Sequence, residues 1–147
     1  MATNLDRKMA VETFMRILIQ HARDGVIEDI ISMLETGPPG RQPLEDQVAL
    51  HLWFQQLDNQ SQEHIREIIQ EAVDSALFST LVILDGAAGG RPVQGELSDF
   101  ALYFQTYHDE GAELSDSPQV RVKLNPWRAT EDLHDLFRWM LEERKKP

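Results

Sequence analysis

The chain has 147 residues, 41% of them hydrophobic and 27% charged, with a net charge of −11. That balance is globular rather than disordered, and a chain of this length buries roughly two-thirds of its unfolded surface without covalent staples. The absence of cysteine excludes disulfides, thiolate metal sites and thiol nucleophiles, and the acidity disfavours nucleic acid as a partner.

A single domain is expected over residues 1–147. Near the N-terminus Met15, Ile17, Leu18 and Ile19 are apolar, but Glu12 and Arg16 interrupt them. No leader is expected on that pattern, and no run approaches the ~20 apolar residues of a membrane span. The expected address is cytoplasmic, with no membrane partner.

Asn4 or Asp6 can cap a first helix running to about Arg23. Ala10, Phe14, Ile17, Leu18 and His21 share its expected core face, and Met15 and Ile19 make a second side apolar. Asp24-Gly25 is read as a break. A short helix follows over about 26–35, with Ile27, Ile30, Ile31 and Leu34 as its stripe. Residues 37–43, Gly-Pro-Pro-Gly-Arg-Gln-Pro, form a loop.

The third helix is expected over roughly 44–57, burying Leu44, Val48 and Leu52 with Trp53 and Phe54 beside them. Asn59 or Ser61 would cap the fourth. Ile65, Ile68, Ile69, Ala72, Val73, Ala76, Leu77, Thr80, Leu81 and Leu84 keep a 3.6-residue beat through it. Residues 78–84 also read as a buried strand, because Thr80, Val82 and Ile83 are β-branched, but no turn signal interrupts the stripe.

After the glycine-rich stretch 85–92 the period changes to two. Phe100, Leu102, Phe104 and Thr106 alternate with Ala101, Tyr103, Gln105 and Tyr107, and Val120, Val122 and Leu124 alternate with Arg121 and Lys123. This predicts an antiparallel hairpin lying on the helices or on a third strand. Thr130 can cap a last helix with Leu133, Leu136, Phe137, Met140 and Leu141 as its stripe. The expected fold is thus a helix-rich α+β domain: about four helices, a β-hairpin of two or three strands, then a C-terminal helix.

Five groups of residues invite a chemical reading. His134-Asp135 matches one step of a metal-hydrolase pattern, which would need another histidine such as His21, His51 or His64. Their spacing fits no ligand set, and adjacent helical side chains diverge by about 100°. Glu63, Glu67, Glu71 and Asp74 share a helix ridge; paired carboxylates can do acid–base work, but an ordinary solvated face has the same pattern. Beyond a solvated face, the reading left for Glu63, Glu67 and Glu71 is docking of a basic partner. His108, Asp109, Glu110, Glu113 and Asp116 gather at the hairpin tip, where carboxylates can hold Ca²⁺ or simply deter edge pairing. Gly86, Gly89 and Gly90 lack the lysine and helix start of a phosphate loop.

The hairpin's outer face is the fifth. It would carry Tyr103, Tyr107, Arg121 and Lys123, residue types enriched where proteins dock and also ordinary on a solvated sheet.

Residues 23–30 (Arg-Asp-Gly-Val-Ile-Glu-Asp-Ile), 37–41 (Gly-Pro-Pro-Gly-Arg), 84–86 (Leu-Asp-Gly) and 133–137 (Leu-His-Asp-Leu-Phe) together resemble a group of small uncharacterised bacterial proteins. That resemblance implies no activity for these residues. In size and acidity the chain is also similar to bacterial immunity proteins that neutralise toxins.

The function expected from the sequence is a non-catalytic, cytoplasmic protein-interaction module, such as an immunity-type inhibitor or a regulatory subunit. It would have a protein partner, basic in character, or associate with itself, and it would need no cofactor, catalytic residue or metal. The alternative is a small metal-assisted hydrolase using His134 and Asp135 with another histidine.

Overall fold

A computed structural model describes residues 7–86, 101–106, 120–125 and 132–146. Among them the order is α1 (Arg7–Ile17), a π-helical segment (Leu18–Gly25), α2 (Val26–Thr36), α3 (Glu45–Gln55), α4 (Asn59–Leu84), β1 (Tyr103–Thr106), β2 (Val120–Lys123) and α5 (Leu133–Arg144). The protein is a helix-rich α+β fold, with four α-helices, an antiparallel hairpin and a C-terminal helix. No helix among the described residues is long and apolar enough to cross a membrane.

The chain divides into two compact units, Leu18–Leu77 and the combination of Met1–Ile17 with Phe78–Pro147. In the unit Leu18–Leu77 the core is Ile19, Ile27, Leu34 and Phe54. α2 and α3 pack as a pair joined by the predicted loop. Gly37 ends α2 at φ 97°, a left-handed conformation that side chains with a Cβ resist, and its N–H returns to the Met33 carbonyl. From α3, His51 Nδ1 donates to the Leu34 carbonyl at 2.8 Å, and Gln55 Nε2 donates to Leu34 and Glu35. These side chains satisfy the orphan carbonyls at the end of α2.

Two expectations for the start of this unit change. Asp24-Gly25 does not break the chain, because Gly25 is helical at φ −61°, ψ −45° and α2 follows the π segment directly. Glycine lowers helix stability by only about 1 kcal/mol, too little to stop a helix without a left-handed turn or a proline. The wider π turn also changes the angular step per residue. Ile19 is buried, whereas His21 and Ile17, both expected in the core, are exposed.

α3 departs further. Phe54 is buried and Val48 half-buried, but Leu44, Leu52 and Trp53 are exposed. The helix is apolar on two sides, so hydrophobicity alone could not say which side meets α2.

α4 is helical to Leu84, which excludes the strand reading of 78–84. Its cap is Asp58 rather than Asn59 or Ser61: Asp58 Oδ1 accepts the Ser61 N–H at 2.8 Å, and Oδ2 accepts the Ser61 hydroxyl at 2.9 Å. The backbone donor at Ser61 holds the Asp58 carboxyl below its ordinary value. The predicted stripe is wider than the covered face. Ile65, Ile69 and Val73 are half-buried and Leu81 is buried, while Ile68, Ala72, Ala76 and Thr80 face outward.

In the other unit, Met15, Leu81, Leu124, Leu133 and Phe137 are almost fully buried. Each such side chain contributes about 1.5–3 kcal/mol by leaving water. They come from α1, α4, the end of the hairpin and α5. The hairpin pairs Tyr103 with Lys123, Phe104 with Val122, Gln105 with Arg121 and Thr106 with Val120. Phe104 and Val122 therefore share one face, and Tyr103, Arg121 and Lys123 the other, as the alternation predicts. Arg7 closes the base of the hairpin with two hydrogen bonds, from Nε and Nη2, to the Leu124 carbonyl. α5 starts at Leu133 with Asp132 in the cap position; the predicted cap, Thr130, lies outside the described residues.

Candidate functional site

A cluster of polar side chains forms where the end of α4 meets the start of α5. A helix start leaves its first N–H groups without partners. Asp132 occupies the cap position of α5 but makes no side-chain cap bond. Asp85, immediately after α4, serves instead. Its side chain is only 2% exposed, and Oδ2 accepts both the His134 backbone N–H at 2.9 Å and His134 Nδ1 at 2.8 Å.

That bond sets the ring. Nδ1 donates to the carboxylate oxygen, so the neutral imidazole keeps its lone pair on Nε2. Nε2 lies 3.7 Å from Asp135 Oδ1. Phe78 meets the imidazole edge-on, with centroids 5.5 Å apart, and Arg138 covers the Phe78 ring at 4.4 Å. The ring is thus fixed by a buried carboxylate on one nitrogen and an aromatic wall beside it.

Ligand atoms of Asp132, His134 and Asp135 all lie within 4.8 Å of one another. Adjacent residues of the first turn of α5 thus come within reach of each other, although their side chains start about 100° apart. A histidine oriented by a carboxylate on its far nitrogen is also how proteins prepare metal ligands. The same residues have a simpler use, since carboxylates in a first helical turn stabilise the positive end of the helix dipole, where a cation is disfavoured. Among the described residues His134 is the only histidine of its unit. His21 and His64 are exposed in the other unit, and His51 is bound to Leu34.

The acidic ridge divides. Glu63, Glu67 and Glu71 are exposed on α4. Asp74 does not belong with them: it accepts Arg23 Nε at 2.5 Å and Nη2 at 3.0 Å, a two-pronged pair between α4 and the π segment. Asp74, reinforced by Asp24, raises the Arg23 guanidinium further above its ordinary value. Arg66 joins Glu35 of α2 to Glu63 and lies over the Phe54 ring, and Glu35 raises its value in the same way.

On the hairpin, Arg121 stacks over Tyr103 at 3.8 Å with Lys123 on the same face. Tyr107, His108, Asp109, Glu110, Glu113 and Asp116 lie outside the described residues, as do Gly89 and Gly90.

Sequence reasoning singled out His134 and Asp135 but missed Asp85, Phe78 and Arg138. Asp85 looked like a turn residue, and 49 positions separate it from His134. No local signal could have joined them. Comparison with family models, with curated proteins and with solved structures returns no match.

Proposed function

We propose that this chain is a non-catalytic protein-interaction module that docks a basic partner through an acidic surface. The charge of the unit Leu18–Leu77 carries the reading. Eleven aspartates and glutamates stand there against three arginines and no lysine. Two of those arginines, Arg23 and Arg66, are already ion-paired. Among the described residues the carboxylates of this unit therefore outnumber its cations, an excess that favours and accelerates encounters with a basic protein and repels nucleic acid. Glu63, Glu67 and Glu71 supply an exposed ridge of that surface. Tyr103, Arg121 and Lys123 supply a second, locally basic one, suited to a different partner or a second copy.

An immunity-type inhibitor and a regulatory subunit are the two narrower forms of this proposal, with a cytoplasmic address. A pull-down from the native host tests it. The expected result is a basic protein whose recovery falls about tenfold when Glu63, Glu67 and Glu71 are changed to lysine, a loss of about 1.4 kcal/mol. Recovery of nothing but the chain itself would count against the module.

The second reading, a metal-assisted hydrolase, is favoured by one observation: His134 is oriented by Asp85, its Nε2 lies 3.7 Å from Asp135, and Asp132 brings a third ligand atom within 4.8 Å of the other two residues'. Metal analysis of protein purified without chelators decides it. Stoichiometric zinc, manganese or iron supports it; metal-free protein whose melting is unmoved by these ions ends it.

A further inference from the structure

α3 presents two apolar sides, and among the described residues only one is covered. Phe54, Val48 and His51 turn toward α2. On the opposite side Leu50, Leu52 and Trp53 are exposed at 48%, 55% and 46%, with Leu44 at 69% just ahead of the helix. Helical spacing sets them in two ridges: Glu45, Ala49 and Leu52 on one, Asp46, Leu50 and Trp53 on the next. Each ridge begins with a carboxylate and continues apolar. Trp53 is of the residue type that most often anchors a docked partner, and the exposed leucines stand on its own ridge and on the adjoining one.

The charge around the patch selects what covers it. Between positions 18 and 77 there is no lysine, and Arg41 is the one arginine without an ion pair among the described residues. A second copy laying its own α3 on this one would set two units of net charge −8 against each other. An anionic membrane would meet the same repulsion.

We propose that the outward face of α3 is the docking site for a basic amphipathic helix of a partner protein. Its apolar stripe covers Leu50, Leu52 and Trp53, and its lysines or arginines meet Glu45 and Asp46. The incoming helix would lie against α3 helix on helix, with acidic residues fixing its orientation. It rests on the interaction-module reading and names the surface and the partner's chemistry.

The test uses the full chain and two synthetic helical peptides of about 18 residues with the same leucine stripe. One carries lysine on its polar face and the other glutamate. Binding is measured by calorimetry and mapped by amide shifts in NMR. The lysine peptide is expected to bind about tenfold or more tightly than the glutamate peptide, a difference of about 1.4 kcal/mol. It should perturb residues 45–55 and the Trp53 indole. Leu52→Ser with Trp53→Ala should weaken binding about tenfold at unchanged circular dichroism. Glu45→Lys with Asp46→Lys, which leaves the apolar patch intact, should reverse the preference between the peptides.

Equal binding of both peptides, or affinity indifferent to both pairs of substitutions, overturns the proposal. So does a concentration-dependent dimer that Leu52→Ser with Trp53→Ala dissolves, because a second copy then covers the face. Binding mapped to Glu63, Glu67 and Glu71 instead overturns the α3 site and leaves the interaction module standing. Binding of neither peptide overturns the α3 site alone, while the host pull-down decides the module.

Discussion

At Asn125 one carboxamide serves two elements. Its Oδ1 accepts the Leu102 N–H at 2.8 Å, and its Nδ2 donates to the Leu84 carbonyl. The residue is buried, so water cannot easily replace it. Asn125→Ala should cost about 1–3 kcal/mol for each group left unsatisfied, read from urea unfolding. A loss near zero would show that the two backbone groups find other partners. Asp85 and His134 invite a double-mutant cycle. With Asp85→Ala, His134→Ala and the double variant, the coupling should fall in the range of about 0.5–3 kcal/mol. Zero coupling would mean that Asp85 acts only on the backbone N–H of His134. Neither Asn125 nor Asp85 is conspicuous in the sequence, because an Asn before a proline and an Asp before a glycine ordinarily mark turns.

Elements were legible where one period dominated. The hairpin alternation placed Tyr103, Arg121 and Lys123 on one face, and the long beat of α4 outweighed the β-branched content of 78–84. Reading failed where periodicity carried no information about neighbours. α3 has apolar residues on two sides, and its buried side was settled by α2. The π segment changed the angular step partway along a helix, which displaced His21 from its expected face. Capping followed the same division. Asp58 is a favoured cap residue one position ahead of Asn59 and three ahead of Ser61, the two expected, and it couples α4 to pH. Its carboxyl is held below the ordinary value, so its contribution is present above the usual carboxylate range and is lost as pH falls through the lowered value. Asp58→Ala should melt at a lower temperature than the parent at pH 7. The gap should close in acid, as followed by circular dichroism; a gap that persists at low pH would sink the assignment.

Across the whole molecule, the net charge of −11 is spread unevenly, and most of it falls within Leu18–Leu77. Self-repulsion opposes compaction at low ionic strength, and salt near 0.1 M shortens its reach to about 10 Å. The melting temperature should therefore rise as sodium chloride is added from low concentration. A fall would mean that the pairs of Arg23 and Arg66 outweigh the repulsion among the remaining carboxylates. The same repulsion bears on the partner: a basic helix on α3 would stabilise the chain by neutralising charge as well as by covering leucine and tryptophan.

The π-helical run Leu18–Gly25 holds more residues over its rise than an α-helix would. It is therefore a place where the chain carries spare length inside continuous helix. Removing the exposed Gln20 can be absorbed by tightening the turn toward α geometry, with helix on both sides of the deletion. Removing Gln70 from α4 has no such reserve, and every later side chain of that helix would rotate by about 100° against the earlier ones. Deletion scanning should find the chain still cooperatively folded without Gln20 and unfolded, or nearly so, without Gln70. Equal damage at the two positions would show that the extra length is fixed by its surroundings. On this view the segment is a length register, the point in the fold where single-residue insertions and deletions are most readily tolerated.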